Sequence, residues 1–138
     1  MTIEFTVTAF IPAKPQEVYR AWLSSKGHSE MTGSPAKVSN QVGGEFDAWD
    51  GYIQGRNLEL VPNQRIVQAW RTSEFSDSEP DSHLEITLEP SGSQTKLTLR
   101  HTNLPAHGGQ YKEGWVESYF DPMKEYFSSL KGSKKTTG

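Results

Sequence analysis

Between Gln110 and Lys131 the apolar residues are too many and too widely spread for a helix lying on a flat surface. At about 100° per residue, Trp115, Tyr119, Pro122, Met123, Tyr126 and Leu130 share one broad face. Val116, Phe120 and Phe127 widen it, while Glu113, Glu117, Asp121, Lys124 and Lys131 hold the other side. A helix with so wide an apolar face needs a concave partner. Pro122 lies inside the pattern; it removes one backbone donor and predicts a kink.

The rest of the chain supplies that partner. Ile3 to Ala9 alternates apolar and polar residues, as a half-buried strand does, and Pro12 ends it. Pro15 suits the first position of a helix carrying Val18, Tyr19, Trp22 and Leu23. Ser24 or Ser25 can cap a second short helix running toward Met31. A loop at Thr32-Gly33-Ser34-Pro35 precedes a short strand over Ala36 to Ser39. Three strands follow between Gly43 and Arg71. Asp50-Gly51 gives the first turn, where Gly accepts positive φ without strain, and Pro62-Asn63-Gln64 gives the second. Thr72 to Ser82 holds four acids and four serines and reads as a solvated hairpin tip. Two further strands, His83 to Glu89 and Thr95 to His101, flank the turn at Pro90-Ser91-Gly92-Ser93.

The predicted fold is therefore α+β: a curved antiparallel sheet of six or seven strands wrapped around a long C-terminal helix, with two short helices after the first strand. One domain over 1–132 and a flexible tail over 133–138 account for the 138 residues.

Several residues carry a more specific signal. Gly43-Gly44, Phe46, Asp50-Gly51, Gly55, Glu59, Pro62, Ile66-Val67 and Trp70-Arg71 resemble, in order and spacing, the activator of heat-shock-protein-90 ATPase homologue family. That family belongs to the START-like, helix-grip (SRPBCC) superfamily. Gly114-Trp115, Tyr119, Pro122 and Met123 resemble its helix motif. The resemblance implies the same helix-grip fold. It also implies three classes of function: binding of lipids, polyketides or other apolar ligands; contact with a chaperone; and polyketide cyclase or aromatase-like catalysis. The family's namesake carries a separate N-terminal domain, whereas this chain starts directly at the first strand, which places the chaperone role second.

Composition narrows the chemistry. With no cysteine, disulfides, thiolate nucleophiles and Cys-ligated zinc are excluded. A net charge of −3 gives no electrostatic footprint for nucleic acid. No signal peptide and no apolar run of the ~20 residues a membrane span needs can be found, so the chain is expected in the cytoplasm. Phosphate-binding loops, nucleophile elbows and zinc-peptidase motifs are absent, and no cofactor is expected. His101 and His107 lie six residues apart, but a strand end and a glycine loop do not set a ligand geometry, so no metal is expected.

The expected site is a cavity between helix and sheet that holds a hydrophobic or amphipathic small molecule. Trp115, Tyr119 and Met123 line it from the helix, and His101, Phe46 and Trp70 from the sheet. His101 ends an inward apolar row and titrates near neutrality, so His101 and Tyr119 are the candidates for an acid or base if a reaction occurs. No pair has a catalytic spacing, and a binding protein is preferred to an enzyme. Asp50 is assigned to turn chemistry, and Glu59 to solvent or to an arginine across the sheet.

Overall fold

A computed structural model of the chain describes residues 2–137, the side chains of 131–137 lying outside the described set. The tail expected over 133–138 falls on those residues. Seven strands form one open antiparallel sheet: β1 (Thr2–Ile11), β2 (Lys37–Val38), β3 (Glu45–Ala48), β4 (Ile53–Val61), β5 (Arg65–Thr72), β6 (Ser82–Ser91) and β7 (Gln94–Pro105). Their order is β1-β7-β6-β5-β4-β3-β2, so every neighbour from β2 to β7 is sequential and only β1 closes across the chain. Two short helices, α1 (Pro15–Trp22) and α2 (Ser25–Thr32), separate β1 from the rest.

Local chemistry explains these boundaries. Pro15 opens α1, and the Glu17 carboxylate accepts from the Lys14 amide at 3.4 Å. Ser24 caps α2: its hydroxyl accepts from the Gly27 amide at 3.1 Å. Gly33, at φ 76°, closes α2 in the left-handed conformation.

Two bulges bend the sheet. In β4 the register slips between Asn57 and Glu59, leaving Leu58 unpaired and exposed while Asn57 turns inward. In β7 an extra residue lies opposite β1 between Ile3 and Phe5, and Asn103 takes a φ of 56° there. The shift explains why both His101 and Leu104 reach the core, although their spacing would put them on opposite faces of a regular strand. Gly55 serves a further close approach. A Cβ there would sit 1.9 Å from the Ala69 carbonyl oxygen and 2.7 Å from the Phe46 ring.

The concave face carries Leu84, Ile86, Leu88, Leu97 and Leu99, all buried, and the C-terminal segment fills it. That segment is one long helix that changes type along its length. A 3₁₀ turn (Ala106–Gln110) leads into α3 (Tyr111–Trp115), a π-helical turn (Val116–Phe120) and α4 (Asp121–Thr137). The Asp121 amide donates to the Val116 carbonyl, five residues back. The widened turn lies just before Pro122, which has no amide to offer the Ser118 carbonyl. It changes the helix phase, so Tyr119, Phe120, Met123 and Phe127 are all buried while Val116 and Leu130, expected on the same face, are exposed.

The acidic segment between β5 and β6 is ordered by one residue. Arg71 donates to the carbonyls of Glu79 (3.1 Å) and Ser76 (3.0 Å) and pairs with Asp81 at 2.9 Å. Phe75, in the same loop, is buried against Trp70 and Tyr111. Ser73, Glu74, Ser76, Asp77 and Ser78 are exposed, as the composition predicts, while Arg71 and the buried Phe75 fix the path of the loop against the sheet.

Candidate functional site

Where α3 and the π turn cross β4 and β5, packing is incomplete. A half-open pocket of about 500 Å³ remains, lined by Trp49, Tyr52, Ile53, Trp70, Glu74, Gln110, Tyr111, Gly114, Trp115, Ser118 and Tyr119. Its inner wall is a cluster of tilted and edge-to-face aromatic rings. Ring centroids lie 5.6 Å apart for Trp70 and Trp115, 4.8 Å for Trp115 and Tyr119, and 5.0 Å for Trp70 and Tyr111. Trp22, from α1, backs this wall 5.0 Å from Tyr119.

Three of the expected lining residues, Trp70, Trp115 and Tyr119, meet here. The other three do not. Met123 is one turn too far along the helix and fully enclosed by the core. Phe46 is buried beside Gly55 and borders a separate, polar depression on the outer sheet face with Lys37, Asp47, Arg56 and Asp81. His101 does face inward, but Trp115 stands between it and the cavity. The Trp115 indole donates to His101 Nδ1 at 3.0 Å. Nε2 must then carry the proton, which it donates to Ser82 Oγ at 2.8 Å, and Ser82 donates to the Trp70 carbonyl at 2.7 Å. Burial, with a smaller contribution from His83, lowers the His101 pKa from its ordinary 6.5 to about 3. A neutral ring with both nitrogens engaged positions two tryptophan-bearing elements; it has no lone pair free for a general base.

A second histidine, not singled out by the sequence reading, does the same for Tyr119. His28 Nδ1 lies 2.9 Å from the Trp22 carbonyl, which can only accept, so Nδ1 is protonated. Nε2 then accepts from the Tyr119 hydroxyl at 2.7 Å. Burial lowers the His28 pKa and raises that of Tyr119, so this pair stays neutral. His28, Met31 and Thr32 are the buried positions of α2, and their spacing of three and four was the available signal.

The mouth is polar. Tyr52 donates to Glu74, the Tyr111 hydroxyl lies 3.5 Å from the same carboxylate, and the Gln110 amide is 3.4 Å away. Thr72 Oγ1 lies 2.6 Å from the Tyr111 hydroxyl and accepts from the Glu74 amide at 3.2 Å. Trp49, expected beside a two-residue turn, sits in a four-residue loop joining Ala48 to Ile53 and takes a φ of 54°, with Asp50 at 57° and Gly51 at 88°. Such a run of left-handed residues is costly for a tryptophan, and it holds the indole half-buried, its ring 6.3 Å from Tyr119.

Among the described residues no group of three or more His, Asp or Glu is arranged to hold a metal, and His107 is engaged with Glu79 at 3.0 Å. Among the described residues no helix is long and apolar enough to cross a membrane.

The sequence model described as Activator of Hsp90 ATPase homolog 1-like protein matches residues 12–128. The chain belongs to that family. Its matches include the human activator of 90 kDa heat shock protein ATPase homolog 1, 27% identical over 91% of this chain and 37% of the relative. A Dictyostelium discoideum activator homolog is 30% identical over 83% of this chain and 30% of the relative. The domain thus spans about a third of the length of these curated relatives. Among solved structures, an HSP90 activator from Plasmodium falciparum superposes with a TM-score of 0.83, at 24% identity, over 91% of this chain and 96% of the other. Within the activator-homologue family, then, this member has the helix-grip fold, and its pocket lies where the helix meets the sheet.

Proposed function

We propose that the domain is a cytoplasmic binding module that holds a small apolar or amphipathic molecule in the aromatic pocket. The observation that carries this reading is the unfilled volume of about 500 Å³ beside Trp70, Trp115 and Tyr119. A space of that size suits a small ligand, and aromatic walls supply apolar area with little conformational entropy to lose. Gly114 supports it further. A Cβ at this helical position meets nothing within 4 Å, so a glycine that weakens the helix leaves the cavity open. Binding is preferred to catalysis because His101 is enclosed and the Tyr119 hydroxyl is committed to His28.

The test uses that glycine. Gly114→Leu places a side chain in the pocket and replaces a poor helix former. Its melting temperature is expected to equal or exceed that of the wild type, while tryptophan-fluorescence responses to a panel of apolar and amphipathic compounds disappear. Solvent extraction of the purified wild-type protein, followed by mass spectrometry, should yield a co-purifying compound that Gly114→Leu lacks. If the variant binds the panel as the wild type does, the site lies elsewhere.

A second reading follows from the relatives' names: contact with a chaperone of the Hsp90 class, through the surface of the domain. Stimulation of a purified chaperone's ATPase by this chain, unchanged in Gly114→Leu, would favour it over the pocket.

A further inference from the structure

The geometry points to an organic cation, a hydrophobic amine or quaternary ammonium, as the pocket's ligand. This rests on the binding reading above and narrows its chemistry. Six aromatic residues line the cavity: Trp49, Tyr52, Trp70, Tyr111, Trp115 and Tyr119. Aromatic faces attract cations through their quadrupole, most strongly where water is excluded. The only charged side chain among the lining residues is an acid, Glu74; no lysine, arginine or histidine is among them.

Glu74 is also held in place. Tyr52, Tyr111 and Gln110 converge on its carboxylate from two different parts of the chain, and its own amide is tied to Thr72. Among the described residues it takes part in no ion pair, although Glu79 and Asp81, in the same loop, do. The neutral donors orient the carboxylate without cancelling its charge. Tyr52 stays protonated, its pKa raised first by burial and then by the carboxylate it serves. A ligand with an anionic head, such as a fatty acid, meets one fixed negative charge and no positive one. A neutral apolar ligand gains the aromatic contacts but leaves the carboxylate unused. A cation with an apolar body gains both.

Three para-substituted phenols separate these cases at nearly constant shape: trimethylammonium, tert-butyl and sulfonate in the same position. Calorimetric titration of the intact chain at neutral pH should rank the trimethylammonium compound about tenfold or more above the tert-butyl compound, with no measurable binding of the sulfonate. Glu74→Gln keeps an acceptor for Tyr52 and removes the charge. It should weaken the cation several-fold and leave the tert-butyl compound unchanged. Added salt should weaken the cation alone. Equal or tighter binding of the tert-butyl compound overturns the cation assignment and leaves the pocket reading standing. So does a cation preference untouched by Glu74→Gln. If none of the three binds, and Gly114→Leu shows no loss of any other response, both readings fall together.

Discussion

At the scale of single residues, the two buried histidines make stability depend on pH with a definite sign. His101 is held at about 3, and His28 is also lowered from the ordinary value of 6.5. The unfolded chain takes up protons below about pH 6.5 and the folded chain does not, so acid favours unfolding. The His101 contribution is intact above pH 6.5 and is lost as the pH falls toward about 3, at about 1.4 kcal/mol per pH unit within that window, and His28 acts in the same direction. His101→Gln offers the same acceptor to Trp115 and a donor to Ser82. Urea melts between neutrality and mild acid should show its slope against pH reduced by about that amount; an unchanged slope would mean that His101 is protonated in the folded state. Residue chemistry was only partly legible beforehand. That Trp115 and Tyr119 would share one face followed from their spacing of one turn on the helix. The inward direction of His101 followed from strand alternation, but whether its ring reaches the cavity depends on the indole of Trp115 in front of it, which no local pattern encodes. Glu74 and Tyr52 join the site from two remote segments, and each looks ordinary in its own neighbourhood.

At the scale of elements, the alternation of β1, β6 and β7 and the broad face of the C-terminal segment were readable because each depends on one period. What escaped was every place where the period changes. The bulge at Leu58, the extra residue near Asn103 and the π turn before Pro122 each alter the phase by adding to a regular count. Phe120 follows the π turn and is 1% exposed. Phe120→Ala should cost about 3–5 kcal/mol in chemical denaturation; a loss below about 1 kcal/mol would place the ring outside the close-packed core. The loop between β5 and β6 is solvated as its composition predicts, but its anchoring escaped: a single guanidinium satisfies two of its carbonyls and one carboxylate. A lysine cannot reproduce that planar fork. Arg71→Lys should therefore speed amide exchange across residues 73–81 with little change in the centre of the sheet; equal exchange in wild type and variant would show that Phe75 alone anchors the loop.

At the scale of the whole molecule, the strand order sets a schedule. Five of the six strand pairings join consecutive strands and can form as local hairpins. The sixth joins Ala9 to Leu97 and Ile11 to Thr95, across more than half of the chain. Contacts that distant are closed at a high entropic cost and form late. Ile11 and Ile86 are both buried, one on the late strand and one in the middle of the sheet. Ile11→Val should act mainly by speeding unfolding and Ile86→Val mainly by slowing folding, each with a stability loss of about 0.5–1.5 kcal/mol. Stopped-flow chevrons would show it, and slowed folding in Ile11→Val would overturn the order. For a chain growing from its N-terminus, the consequence is one of waiting. β1 is the first strand made, and the edge it must cover belongs to the last. Throughout synthesis β1 has no partner of its own, and a ribosome must release most of the domain before the sheet can be sealed.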